Sequence, residues 1–159
     1  MTIEAQIARL DRSVEDFIRA VCTLEDPSFT SMINRWSVRD IVAHLVGWNR
    51  YIIEGSEQIL GGELPWYDVD PGENYSKINA VVIRQYPSVN RTELVDELRA
   101  SAAELMDFLR SVDAGDWDRD FGVRHGEETL TIRGTIDDLI ADYVHHRQQI
   151  TDQAAAAPG

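Results

Sequence analysis

The sequence predicts an all-α four-helix bundle. Four stretches of about 20 residues carry apolar side chains at helical spacing. The second opens on Ser37 and Asp40, a helix N-cap with an acidic first turn. Residues 61–73 and 113–134 hold seven of the ten glycines, so the helices stop there.

In chain order, a first helix over 3–24 turns Ile7, Leu10, Val14, Phe17, Ile18 and Val21 inward. Cys22 lies among Ile18, Val21 and Leu24 and reads as a small, reduced core residue. A loop with Pro27 and Ser28 leads to the second helix, 38–60, with Ile41, Leu45, Trp48, Ile52 and Ile59 on one face and Gly61-Gly62 as its stop. Pro65, Pro71 and Gly72 keep 63–73 from being helical throughout, and a short helix over 75–85 precedes Pro87. The third long helix, 92–112, points Leu94, Leu98, Ala102, Leu105, Met106 and Leu109 at the core. The alternation of Thr129, Leu130, Thr131 and Ile132 suits a short hairpin or extended cover. A last helix over 135–153 sets Ile136, Leu139, Ile140, Tyr143, Arg147 and Ile150 on one face, and 154–159 forms a frayed, disordered tail. Residues 1–153 thus make a single domain with one long crossover, and sites in such bundles are built from facing helices.

Charge narrows the function. With 28 acidic against 15 basic residues, the net charge of −13 opposes non-specific binding to a phosphate backbone, and no basic stripe with interleaved aromatics appears. The expected partner is a small-molecule substrate, with no nucleic acid and no membrane. No stretch approaches a transmembrane span or a signal peptide, and the single cysteine fits a reducing cytoplasm.

His44 stands inside an otherwise apolar helix. At about 100° per residue it lies roughly 60° from the centre of the apolar stripe, at the edge of the interior. There an imidazole needs partners for both ring nitrogens. A lone histidine of this kind is more often a core-edge side chain satisfied by a carbonyl or carboxylate. The last helix adds Asp142 and His146 at i and i+4, about 110° and 70° from its own stripe, while His145 falls about 170° away and faces solvent. An i,i+4 pair on a solvated flank would look the same. Met by His44 from a neighbouring helix, the pair would form a three-ligand site for a divalent metal, with open positions.

The run Trp36-Ser37-Val38-Arg39-Asp40-Ile41-Val42-Ala43-His44-Leu45, with Tyr143-x-x-His146-Arg147-x-x-Ile150 and the acidic-aromatic Trp66-Tyr67-Asp68-Val69-Asp70, resembles the DinB-like superfamily, above all its ClbS/DfsB-type branch. The resemblance spans roughly residues 2 to 152. It implies a four-helix bundle, a homodimer, and a divalent metal, zinc or nickel, held by His44, Asp142 and His146. Many members carry a histidine where this chain has Asp142, and the carboxylate resembles the arrangement in mycothiol-dependent maleylpyruvate isomerases. The implied chemistry is transfer or isomerisation with a low-molecular-weight thiol such as mycothiol or bacillithiol. Arg147 would then bind a carboxylate of substrate or thiol.

Two rival readings share the fold. In a ClbS-like, metal-independent hydrolase that detoxifies a reactive natural product, Tyr51 and Glu54 would be the catalytic pair. Trp48, Trp66 and Tyr67, with Asp68, would line the substrate cleft. A non-catalytic small-molecule-binding stress protein would keep the fold alone.

Overall fold

Ser37 caps the second helix as expected. Its hydroxyl accepts from the Asp40 amide at 3.1 Å, and the Asp40 carboxylate accepts from the Ser37 amide at 3.1 Å, a reciprocal capping box. The computed structural model describes residues 2–156. Its long helices are α1 (Ile3–Thr23), α2 (Val38–Leu60), α4 (Arg91–Ser111) and α5 (Ile132–Ala156), and α3 (Ser76–Gln85) is the short one. α2 packs against α4, α3 and α5, and α1 against α5 and α4. The bundle is the all-α architecture predicted, with α3 lying outside it on α2.

The inward faces are those the periodicity selects. Leu10, Phe17, Leu45, Leu98, Leu105, Ile136 and Tyr143 are fully buried. Each large aliphatic side chain so buried contributes about 1.5–3 kcal/mol relative to exposure. Two glycines inside α2 have a packing reason. A Cβ on Gly47 would overlap Val82 of α3, and one on Gly55 would overlap the Tyr67 ring. α3 and the Trp66–Asp68 turn therefore approach the α2 backbone directly, which brings Asn79 and Tyr67 to the helix that carries His44.

A neutral polar network ties three helices together deep in the core. Tyr143 donates its hydroxyl to Asn49 Oδ1 at 2.9 Å, Asn49 Nδ2 donates to Ser101 Oγ at 3.0 Å, and Ser101 donates to the Leu98 carbonyl at 3.0 Å. Arg39, nearly buried, donates to the Tyr86 and Ser88 carbonyls and so anchors the α3–α4 connection to α2.

Several expectations need correction. Cys22 is exposed, not in the core, because it sits one residue, about 100°, past buried Val21. The last helix begins at Ile132, not 135. Thr131 Oγ1 accepts from the Gly134 amide at 3.0 Å, so Gly134 falls in a capped first turn instead of before the helix. At its other end α5 runs through the alanines to Ala156, since alanine is the best helix former; 157–159 of the expected tail lie outside the described residues. Two antiparallel hairpins of two-residue strands flank the helices. β1 (Met32–Ile33) pairs with β2 (Trp36–Ser37) before α2, unforeseen, and β3 (Arg124–His125) with β4 (Glu128–Thr129) before α5, where a hairpin or cover was expected. Among the described residues no helix is long and apolar enough to cross a membrane.

Candidate metal centre

α2 and α5 lie side by side and bring His44, Asp142 and His146 into one cluster. Their ligand atoms all lie within 4.8 Å of one another, the only such group among the described residues. His44 Nε2 is 2.9 Å from Asp142 Oδ2, and His146 Nε2 is 3.2 Å from Asp142 Oδ1, so each imidazole meets its own carboxylate oxygen. Both histidines are buried and Asp142 is about a third exposed, so the cluster opens on the carboxylate side. The Trp36 ring, carried in by the first hairpin, covers the imidazoles with its centroid 4.9 Å from His44 and 6.1 Å from His146.

The far ring nitrogens decide what the cluster can bind. His44 Nδ1 is 3.0 Å from Asn79 Oδ1, and the same oxygen lies 2.6 Å from Trp48 Nε1. An indole nitrogen can only donate, so the Asn79 atom between them must be the carbonyl oxygen. His44 therefore carries its proton on Nδ1 and donates it to Asn79. His146 Nδ1 likewise donates to Gln149 Oε1 at 2.7 Å. With both Nδ1 protons placed, the two Nε2 atoms face one carboxylate either as N–H groups of two imidazolium rings or as lone pairs around a cation. Two protons or one divalent cation meet the same electrostatic demand.

The donor set fits a metal. Ligand atoms about 2.0–2.2 Å from a tetrahedral zinc stand roughly 3.3 Å apart, close to the separations found between the histidine nitrogens and the carboxylate. Amide oxygens on the far nitrogens supply the support that orients metal-binding histidines. Burial alone pushes the Asp142 carboxyl up, but hydrogen bonds from His146 and His44 outweigh it and hold that carboxyl well below the usual carboxylate range. Burial lowers His146, and the hydrogen bond and charge of Asp142 more than reverse this, leaving it raised.

Two cavities meet at this cluster. The first, about 320 Å³, is lined by His44 and Asp142 together with Trp48, Ile52, Tyr67 and Asp68. The second, about 530 Å³, reaches His146 and Gln149 beneath Trp36. Asn74 and Asn79 line both and form the partition.

The other residues singled out in the sequence divide cleanly. Trp48, Tyr67 and Asp68 line the first cavity. Tyr51 and Glu54 do not: Tyr51 donates to Gln85 Oε1 at 3.0 Å, and Glu54 accepts from Trp66 Nε1 at 2.9 Å on the outer surface. Trp66, 37% exposed, packs on Tyr51 behind the cavity. Arg147 turns towards α1, its Nη1 4.0 Å from Asp16 Oδ2, and lines a groove away from the cluster. His145 is exposed, as expected. Asn79, Tyr75, His125, Glu128 and Asp138 at the first cavity were not foreseen. Gln149, three residues past His146, was legible from helical spacing; Asn79 carried no such signal.

Several solved structures share this fold. A protein from Streptococcus pneumoniae superposes with a TM-score of 0.81 at 13% identity, covering 99% of this chain and 93% of that one. The colibactin self-resistance protein ClbS, solved in complex with a dsDNA, gives 0.79 at 11% identity, with 99% and 98% covered. The mycothiol-dependent maleylpyruvate isomerase gives 0.75 at 16% identity, with 94% of this chain covered and 61% of that longer protein. No curated protein matches by sequence. The family model for the mycothiol maleylpyruvate isomerase N-terminal domain matches residues 4–151. The chain belongs to that family, within the DinB-like superfamily.

Proposed function

We propose that the protein is a metal-dependent enzyme in which His44, Asp142 and His146 hold one divalent cation, zinc or nickel, and a small thiol attacks a small electrophile beside it. One observation carries this reading: two Nε2 atoms converge on a single carboxylate while both Nδ1 protons are held by amide oxygens. A divalent cation bound there lowers the pKa of a thiol or water that it holds.

The chain's own residues do the rest. Asn79 and Gln149 keep each Nε2 free of the tautomeric proton. Asp142, held as carboxylate, balances the charge. Trp48, Ile52 and Leu139 supply an apolar wall that limits water in the first cavity, where the reacting centre would sit. The second cavity, with Asn34, Asn74, Ser76 and Gln149 among its lining groups, suits a neutral hydroxyl- or amide-bearing molecule. The family match and the solved mycothiol-dependent isomerase support mycothiol in that place. The charge of −13 supports a small-molecule ligand over DNA for this chain, although ClbS was solved with dsDNA. A metal-free reaction run by Tyr51 and Glu54 draws no support, since neither reaches the cavity.

Elemental analysis of protein purified without a histidine tag or added metal tests the reading. About one equivalent is expected in the parent and in His145→Ala, and none in His44→Ala or His146→Ala. Equal metal in all four proteins, or none in any after zinc, nickel and manganese are offered, overturns it.

A further inference from the structure

The two cavities at the cluster differ in chemistry. The second is nearly neutral: exposed Arg35 and Glu73 offset one another, and its other polar lining is mostly amide and hydroxyl. The first contains no lysine or arginine. Its lining includes Asp68, Glu128 and Asp138 besides Asp142, whose two oxygens already face His44 and His146. His125 is the one side chain there, outside the triad, able to carry positive charge, its Nδ1 3.8 Å from Asp68 Oδ1. Burial and the neighbouring Glu128 and Asp137 push the Asp138 carboxyl up, as in a site short of cations.

Aromatic rings wall the same space. Trp48 meets Tyr67 at 5.0 Å with planes 74° apart, and Tyr75 at 5.5 Å with planes 90° apart. All three side chains line the cavity, so a guest there meets them. Rings at such angles, backed by carboxylates, are the surroundings that recognise ammonium ligands. The carboxylates do not converge on a point: the triad is the only metal-sized group among the described residues. Spread around the cavity, they suit an organic cation instead of an inorganic one.

We propose that the first cavity is an ammonium-binding subsite, and that the electrophile reaching the metal centre carries a protonated or quaternary amine. The proposal rests on the metal-site reading for what happens at the floor. Glu128 and Asp138 are exposed and stand at the mouth, while Asp68, 7% exposed, lies on the inner wall beside Tyr75, whose hydroxyl donates to it. The amine is held there by ring faces and carboxylates, with the reactive carbon directed to His44 and Asp142. Apart from His125 and a cation held by the triad, a dicarboxylate such as maleylpyruvate meets no positive group in this cavity, so the lining favours a cationic substrate over a dianionic one.

The test uses choline and its neutral isostere, 3,3-dimethylbutan-1-ol, titrated into the full-length protein by calorimetry, with succinate as the anion. Choline should bind about tenfold more tightly than the isostere, and more tightly than succinate. In the double variant Glu128→Gln, Asp138→Asn, both at exposed positions, the preference for choline should fall to about twofold. Equal affinities for choline and the isostere, no binding of choline, or an unchanged preference in the double variant overturns the proposal. His146→Ala separates the two readings, because His146 lies outside this cavity. Choline binding retained with the metal lost supports both, and metal retained in that variant sinks the metal site while choline still reports on the subsite.

Discussion

Two polar networks join α2 to α5, and they are opposite in kind. Asn49, Ser101 and Tyr143 form a closed, neutral chain in which each donor has found an acceptor. His44, Asp142 and His146, beginning one residue away at Asp142, form a charged cluster complete only when two protons or a cation are added. The neutral network holds helices in place and asks nothing of the solvent. The charged one sits at a cavity wall and is sensitive to whatever the solvent delivers. Adjacent positions on one helix thus separate a closed network from one that can still take a ligand.

The sharpest way to break that contrast is Asn49→Ala. It leaves the Tyr143 and Ser101 hydroxyls without their partner and opens a small void, which should cost about 2–4 kcal/mol in chemical denaturation. Metal content per folded molecule should be unchanged. If Asn49→Ala lost metal as fully as His44→Ala, the two networks would be one, and the division would fall.

Asn79→Ala should do the reverse. The oxygen that receives the His44 proton disappears, the imidazole is free to turn or change tautomer, and metal affinity should weaken about 10–100-fold in a chelator competition. The fold should tolerate it, since α3 lies outside the bundle. Asn79→Asp keeps an acceptor for both Trp48 and His44 and should recover most of the affinity; nitrogen NMR of the His44 ring would show Nδ1 protonated in the parent and mixed in the alanine variant. A loss of affinity with no change in that signature would remove Asn79 from the site.

How far the sequence reaches differs between the same two regions. α2 and the triad were legible because their signals are local: a cap at Ser37 and Asp40, a 3.6-residue stripe, and an i,i+4 pair at Asp142 and His146. What orients the triad was not, because Asn79 reaches His44 only after Gly47 lets Val82 settle on the α2 backbone, a tertiary event that no spacing announces. Tyr51 and Glu54 lie outside the first cavity for a related reason. They lie on the right helix, but the Tyr67 ring packed on Gly55 and the Trp66 ring beside Tyr51 leave both outside the cavity wall. The first hairpin, which brings Trp36 over the imidazoles, has strands of two residues and is too short for an alternating pattern.

The smallest expected effect is also the most specific, because only the charged network titrates. In metal-free protein His146 is raised by Asp142, so its share of stability is present below the unfolded histidine value of about 6.5 and is lost as pH rises through the raised folded value. Asp142 is depressed, so its share is present above about 3.9 and is lost only as pH falls through its lowered value. Stability of the metal-free form should therefore decline above neutrality. Metal must displace the proton on His146 Nε2, so its affinity should rise over the same range, and the gap between metal-bound and metal-free melting temperatures should widen. Calorimetry of both forms from about pH 5.5 to 8.5 would show this. His146→Ala should flatten the metal-free curve, whereas Asn49→Ala should lower it without changing its slope. Parallel curves for the two forms of the parent protein would mean that protons and metal do not compete, and that the cluster is another closed network.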